Sequence, residues 1–126
     1  MRVETHYFAE ASMEHTQKVL DIVEDFLQKN PEIEHIVVAT TEGQTGALAT
    51  KRFADRRVIV VTHSTGFVVP NFNELAEDAR KEIEENGGVI LTATHAFAGV
   101  ARSFRKMLGT WTPTEMMAVA FRTFGQ

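Results

Sequence analysis

Three short apolar runs, each opening into a cluster of Thr, Gly or His, constrain this chain more than any other feature. Ile36, Val37, Val38 and Ala39 lead into Thr40, Thr41, Glu42, Gly43, Gln44, Thr45 and Gly46. Val58, Ile59, Val60 and Val61 lead into Thr62, His63, Ser64, Thr65 and Gly66, and Val89, Ile90 and Leu91 lead into Thr92, Ala93, Thr94 and His95. Runs that are short, β-branched and uninterrupted by polar residues match the buried strands of parallel sheets. In an open α/β sheet the loops leaving the carboxyl ends of such strands gather along one edge, and ligands bind there. Hydroxyls, small residues and imidazoles are therefore expected to meet on one edge.

The intervening segments read as helices. Val19, Leu20, Val23, Phe26 and Leu27 recur at helical spacing in a helix expected from about residue 12 to residue 29, which Asn30-Pro31 stops. A short helix is expected over residues 45–53. Asn71 and Glu74 are spaced as a capping box for a helix reaching residue 86, with Gly87-Gly88 as its stop. Phe97, Val100, Ala101, Phe104, Met107 and Leu108 mark an amphipathic helix, and Thr112, Pro113 and Glu115 carry the cap, first-turn proline and acidic partner of a last one. Residues 2–8 are a further candidate strand, with Val3, Thr5 and Tyr7 alternating. Alternating strands and helices with right-handed crossovers predict α/β class, a three-layer sandwich around a mostly parallel sheet of about four strands. A sheet that small leaves an edge either open or covered by another chain, and a homo-oligomer is the expected state.

With 126 residues, residues 1–126 are expected to form a single domain with a modest core. A net charge of −4 gives no electrostatic attraction to nucleic acid or an anionic membrane. Two basic clusters, Lys51, Arg52, Arg56 and Arg57, and Arg102, Arg105 and Lys106, read as solvated helix faces. The absence of cysteine excludes disulfides, thiolate metal sites and cysteine nucleophiles. No apolar run approaches the roughly 20 residues of a membrane span, and the mixed, charged start is unlike a signal peptide. A cytoplasmic location is the expectation.

The first loop suits a phosphate. A helix start near Thr45 presents free amides and the positive end of a dipole, Gly43 allows close backbone approach, and Thr40, Thr41 and Thr45 add hydroxyls. The loop matches neither the Walker pattern nor Gly-x-Gly-x-x-Gly, and its plain alternative is a tight turn capped by Thr. In the second loop, Thr62 and Thr65 offer hydrogen bonds, Gly66 a turn, and His63 a ligand contact, a general acid or base, or a structural hydrogen bond. In the third, Thr94 and His95 precede the amphipathic helix, from which Arg102 can supply the cation that the first loop lacks. His63 and His95 are the weak catalytic candidates. No metal is expected, because no His pair has the His-Glu-x-x-His spacing.

The first two runs and their loops resemble the C-terminal α/β domain of pyruvate kinase, where such a loop holds a phosphate of a sugar effector; the resemblance implies phosphate contacts from Thr40, Thr41, Gly43 and Thr45. The whole chain is more similar to free-standing pyruvate kinase C-terminal-domain-like proteins. Tyr7-Phe8, Val61-Thr62-His63-Ser64-Thr65-Gly66-Phe67, Thr94-His95 with Gly99 and Arg102, and the closing Phe124-Gly125 carry that likeness. It implies a ligand like flavin mononucleotide (FMN), and a chain shortened at its C-terminus. The ring is then expected against Thr62, His63, Thr65, Gly66, Thr94 and His95. Three functions stay open: a binding domain for FMN or another phosphate-bearing ligand, a flavin-dependent oxidoreductase or phosphate-ester enzyme using His63 or His95, and a regulatory or assembly domain without a small ligand.

Overall fold

A computed structural model describes residues 5–10, 12–94 and 99–125. The elements follow in the order α1 (His15–Lys29), β1 (His35–Ala39), α2 (Gln44–Arg52), β2 (Arg57–Thr62), α3 (Glu77–Glu85), β3 (Val89–Thr92), α4 (Gly99–Leu108) and α5 (Pro113–Gly125). The strands form a parallel sheet in the order β1-β2-β3, with Val38 beside Val60 and Val60 beside Ile90. This is a small α/β fold. Of the further strand expected over residues 2–8, residues 5–8 have no regular structure, and residues 2–4 lie outside the described residues. No helix among the described residues is long and apolar enough to cross a membrane.

Strand periodicity sorts the sheet into two unlike faces. Ile36, Val38, Val58, Val60 and Ile90 point to one side and join Leu20, Leu27, Ala47, Ala49, Phe53, Leu75 and Ile83 in a continuous core. Val60 and Ile83 are fully buried, and such side chains contribute about 1.5–3 kcal/mol each. Helix α2 lies directly on β2, since a side chain at Gly46 would meet Val60 Cγ1 at 2.6 Å. The opposite face is less covered: Val37 is 70 % exposed, Val89 42 % and Leu91 47 %, while Ile59 and Val61 of the central strand are half-buried. The described residues therefore make a close-packed helical layer on one side of the sheet. Uninterrupted apolar strands suggested two covered faces, but the pattern records only that both faces avoid water, not what shields them.

Two members of the first basic cluster, Arg52 and Arg56, are structural, while Lys51 and Arg57 are exposed. Arg52 on α2 pairs with Asp21 Oδ1 at 2.7 Å and with Glu24, both on α1, and these hydrogen bonds, that to Glu24 foremost, raise the Arg52 pKa above its ordinary value. Arg56 donates to the carbonyls of Pro31 at 3.0 Å and Ile33 at 2.7 Å, pinning the α1–β1 turn. Helix α3 ends where expected: Gly87 and Gly88 amides return to the carbonyls of Glu84 and Ile83 at 3.0 and 2.8 Å. Its start differs. The N-cap is Ala76, and Asn71 sits in the left-handed region at φ 60°, so the Asn71–Glu74 spacing does not cap this helix.

Helices α4 and α5 form a hairpin closed by Gly109, whose amide donates to Arg105 O at 2.8 Å. Arg105 Nη1 reaches Glu115 Oε1 at 3.2 Å, and the Arg105 guanidinium lies over Trp111 at 4.6 Å. The amide of Glu115 donates to Thr112 Oγ1 at 3.4 Å, which is the expected cap of α5. Within the described residues the hairpin packs mainly on itself rather than along any strand.

Candidate functional site

The carboxyl ends of all three strands open into one cavity of about 1140 Å³, a size that suits a cofactor-scale ligand. Its floor is apolar, made by Ala39, Val61 and Leu91 at the strand ends. These residues lie on the less covered side of the sheet, so the cavity sits between that face and α4. Its rim combines the three hydroxyl-rich segments with Arg102 and Lys106 from α4.

The β1–α2 loop forms the first wall. The Thr40 amide extends the ladder by donating to Val61 O at 2.9 Å, and Thr40 Oγ1 accepts from the Gly43 amide at 3.1 Å. Gly43, at φ 111°, is the N-cap of α2 and supplies no capping side chain. The first-turn amides of α2 therefore lack intrahelical partners, and Gln44 and Thr45 of that turn line the cavity beside Thr41.

Gly43 itself is not a cavity residue. A Cβ there would stand 2.4 Å from Ala79 Cβ and 2.8 Å from Leu75 Cδ1. Its missing side chain is required by the approach of α3, and its amide donates to Thr40 Oγ1. The spacing of a glycine-containing loop shows that backbone can approach something, without showing whether that is a ligand or another helix.

The long β2–α3 connection forms the second wall. Thr62 is buried, and its hydroxyl lies 2.7 Å from Thr92 Oγ1 and 3.0 Å from His63 O, so it ties β2 to β3. His63 Nδ1 lies 2.8 Å from Glu74 Oε2. The His63 ring stacks on Phe67 with centroids 4.0 Å apart, and the Arg102 guanidinium covers Phe67 at 4.1 Å. Gly66 turns the chain at φ 80° and donates to Phe72 O at 2.8 Å, while Asn73 Nδ2 donates to His63 O at 3.1 Å. The Ala76 amide donates to Glu42 O at 3.0 Å, fastening this segment to the first loop.

Thr40, Thr41, Thr45, Thr62, His63, Thr65, Gly66, Thr94 and Arg102 all line the cavity. His95 lies outside the described residues. Sequence reasoning missed Phe67, Lys106 and the role of Glu74. Lys106 follows Arg102 by one helical turn, a signal that was present. Phe67 directly follows the Gly66 turn. Glu74 was assigned to a helix cap, and only the folded β2–α3 segment returns it to His63.

Chemically, the cavity offers helix-start amides, Thr hydroxyls and the Glu42 carboxylate on one wall, two cations on another and an apolar floor between them. No protein-family model matches the chain.

Proposed function

We propose that the domain binds a small molecule combining an anionic group, phosphate first, with a flat apolar ring, FMN being the leading candidate. The observation that carries this reading is the convergence of the α2 N-terminus, Arg102 and Lys106 around an apolar floor in one cavity. Amides at a helix start and charged donors stabilise a phosphate dianion, while Ala39, Val61 and Leu91 suit a ring and repel a second charge. The donor set fits a ligand with one phosphate. Thr41, Thr45 and the first-turn amides of α2 would hold the phosphate, and Arg102 and Lys106 would balance it. His63 and Phe67 would flank the ring, which supplies redox chemistry when bound.

The test is the visible spectrum of freshly purified protein with mass spectrometry of whatever denaturation releases, followed by titration with FMN and with riboflavin. Release of FMN, or FMN binding at least about tenfold tighter than riboflavin, supports a phosphate-anchored ring. Equal affinity for the two removes the phosphate anchor, and a colourless protein that binds neither removes the flavin.

A second reading is favoured by the His63–Glu74 pair. A carboxylate on Nδ1 orients the ring and leaves Nε2 for proton transfer, as a general base requires. In an enzyme of flavin or phosphate-ester chemistry, His63→Gln keeps binding and loses turnover. In a binding domain it changes affinity alone.

A further inference from the structure

Phe67 stands in the cavity wall with both of its faces taken. Its ring stacks on His63 with centroids 4.0 Å apart and planes inclined by 22°, and the Arg102 guanidinium lies 4.1 Å from the same ring centroid. An imidazole and a guanidinium that close to one ring cannot share a face without overlapping, so they cover opposite faces. His63 is fixed in place, by Glu74 at Nδ1 and by Asn73 at its carbonyl. Arg102 is held differently. It comes from α4, it is half-buried, and among the described residues no carboxylate pairs with it. Its side chain lines the same cavity as Thr41, Gln44 and Thr45 at the start of α2. One face of Phe67 is thus closed by a braced ring, and the other by a long side chain whose charge has no acidic partner there.

We propose that the Arg102-covered face of Phe67 is the subsite for the ligand's flat ring, and that an anion held at the start of α2 opens it by drawing Arg102 away. The inference rests on the phosphate-and-ring reading above, and adds which surface takes the ring and how the two parts of the ligand depend on each other. Two contacts compete for one guanidinium. A cation over an aromatic face is a weak contact where water reaches it, whereas a guanidinium on phosphate makes charge-assisted, bidentate hydrogen bonds. Phosphate therefore takes Arg102. The face left behind is apolar, is backed by His63, and opens onto the cavity that Val61 and Leu91 floor. A planar ring then stacks where the guanidinium was, and its presence keeps Arg102 on the anion. Each part raises the affinity for the other by the same factor, as linkage requires. A neutral aromatic must displace Arg102 unaided, and a bare phosphate leaves Phe67 uncovered. The cavity thus selects aromatic phosphate monoesters over neutral aromatics, with Arg102 as the residue that sets the specificity.

NMR of the full chain with inorganic phosphate, and riboflavin titrations with and without it, test the coupling. The Arg102 side-chain protons lie in the shielding cone of Phe67, so they should resonate upfield and move downfield as phosphate saturates the Gln44 and Thr45 amides. Potassium chloride at equal ionic strength should not move them. Saturating phosphate should tighten riboflavin binding at least about threefold, the size of one exposed cation–π contact. Arg102→Ala should bind riboflavin as the phosphate-loaded native chain does, without further response to phosphate; if that variant fails to fold, the native-chain shifts decide by themselves. Phosphate that shifts the α2 amides and leaves Arg102 under the ring overturns the proposal while the anion site stands. So does a riboflavin affinity indifferent to phosphate. Silent α2 amides remove the anion reading itself, and riboflavin that binds under neither condition removes the ring reading; either takes the coupling with it.

Discussion

His63 Nδ1 and Glu74 Oε2 lie 2.8 Å apart across a connection that folds back on itself between β2 and α3. The pair is held from both sides, by Phe67 stacked on the imidazole and by Asn73 bonded to the His63 carbonyl. These contacts hold the imidazole in one orientation at the cavity wall.

Glu74→Gln should therefore alter the ring more than the fold. The His63 side chain is 36 % exposed and that of Glu74 18 %, so the loss of stability should stay within about 1 kcal/mol. The imidazole nitrogen shifts in a 15N NMR spectrum should change, since the neutral amide no longer selects the Nδ1–H tautomer. Unaltered shifts would show that Glu74 does not orient the ring.

Gly43→Ala should be strongly destabilising. The added Cβ meets Ala79 and Leu75 at 2.4 and 2.8 Å, and φ is 111°. Overpacking and a left-handed non-glycine residue together cost about 2–5 kcal/mol, readable in urea unfolding. A variant as stable as the native chain would mean that α3 does not pack against this loop.

Arg52→Met should loosen α1 from α2 and speed amide exchange in α1 relative to the sheet. Because the Arg52 pKa is raised in the fold, its contribution is complete below its unfolded value and is lost only as pH rises through the folded one. The difference in thermal midpoint between native and variant should accordingly contain no Arg52 titration between about pH 6 and 9. A change in that difference across the window would assign it to the carboxylate partners or elsewhere.

Arg102→Met should weaken binding of a phosphate-bearing ligand about tenfold, with Lys106→Met acting in the same direction. Thr45→Val should weaken it by less. Isothermal titration with FMN measures each effect. A ligand indifferent to both cations would not have its anion on that wall.

Much of this architecture is legible in the chain itself. The β-branched run 58–61 lies within the strand Arg57–Thr62, the other two runs form strands that open at His35 and Val89, and the Thr112-Pro113 start opens the last helix. Those elements follow from short-range chemistry: side-chain branching, caps, glycine stops and period. Parallel strands with crossover helices then bring three carboxyl ends together whatever the finer packing, which is why the Thr-rich loops share a cavity with Arg102. Tertiary structure alone decided what each group meets there. Gly43 packs against Ala79, Glu74 turns to His63 rather than to a helix amide, Arg52 clasps α1, and Val37 stays 70 % exposed. Each depends on contacts between residues distant in sequence. A local pattern specifies that a side chain avoids water or seeks a partner, and only the packing of whole elements selects the partner.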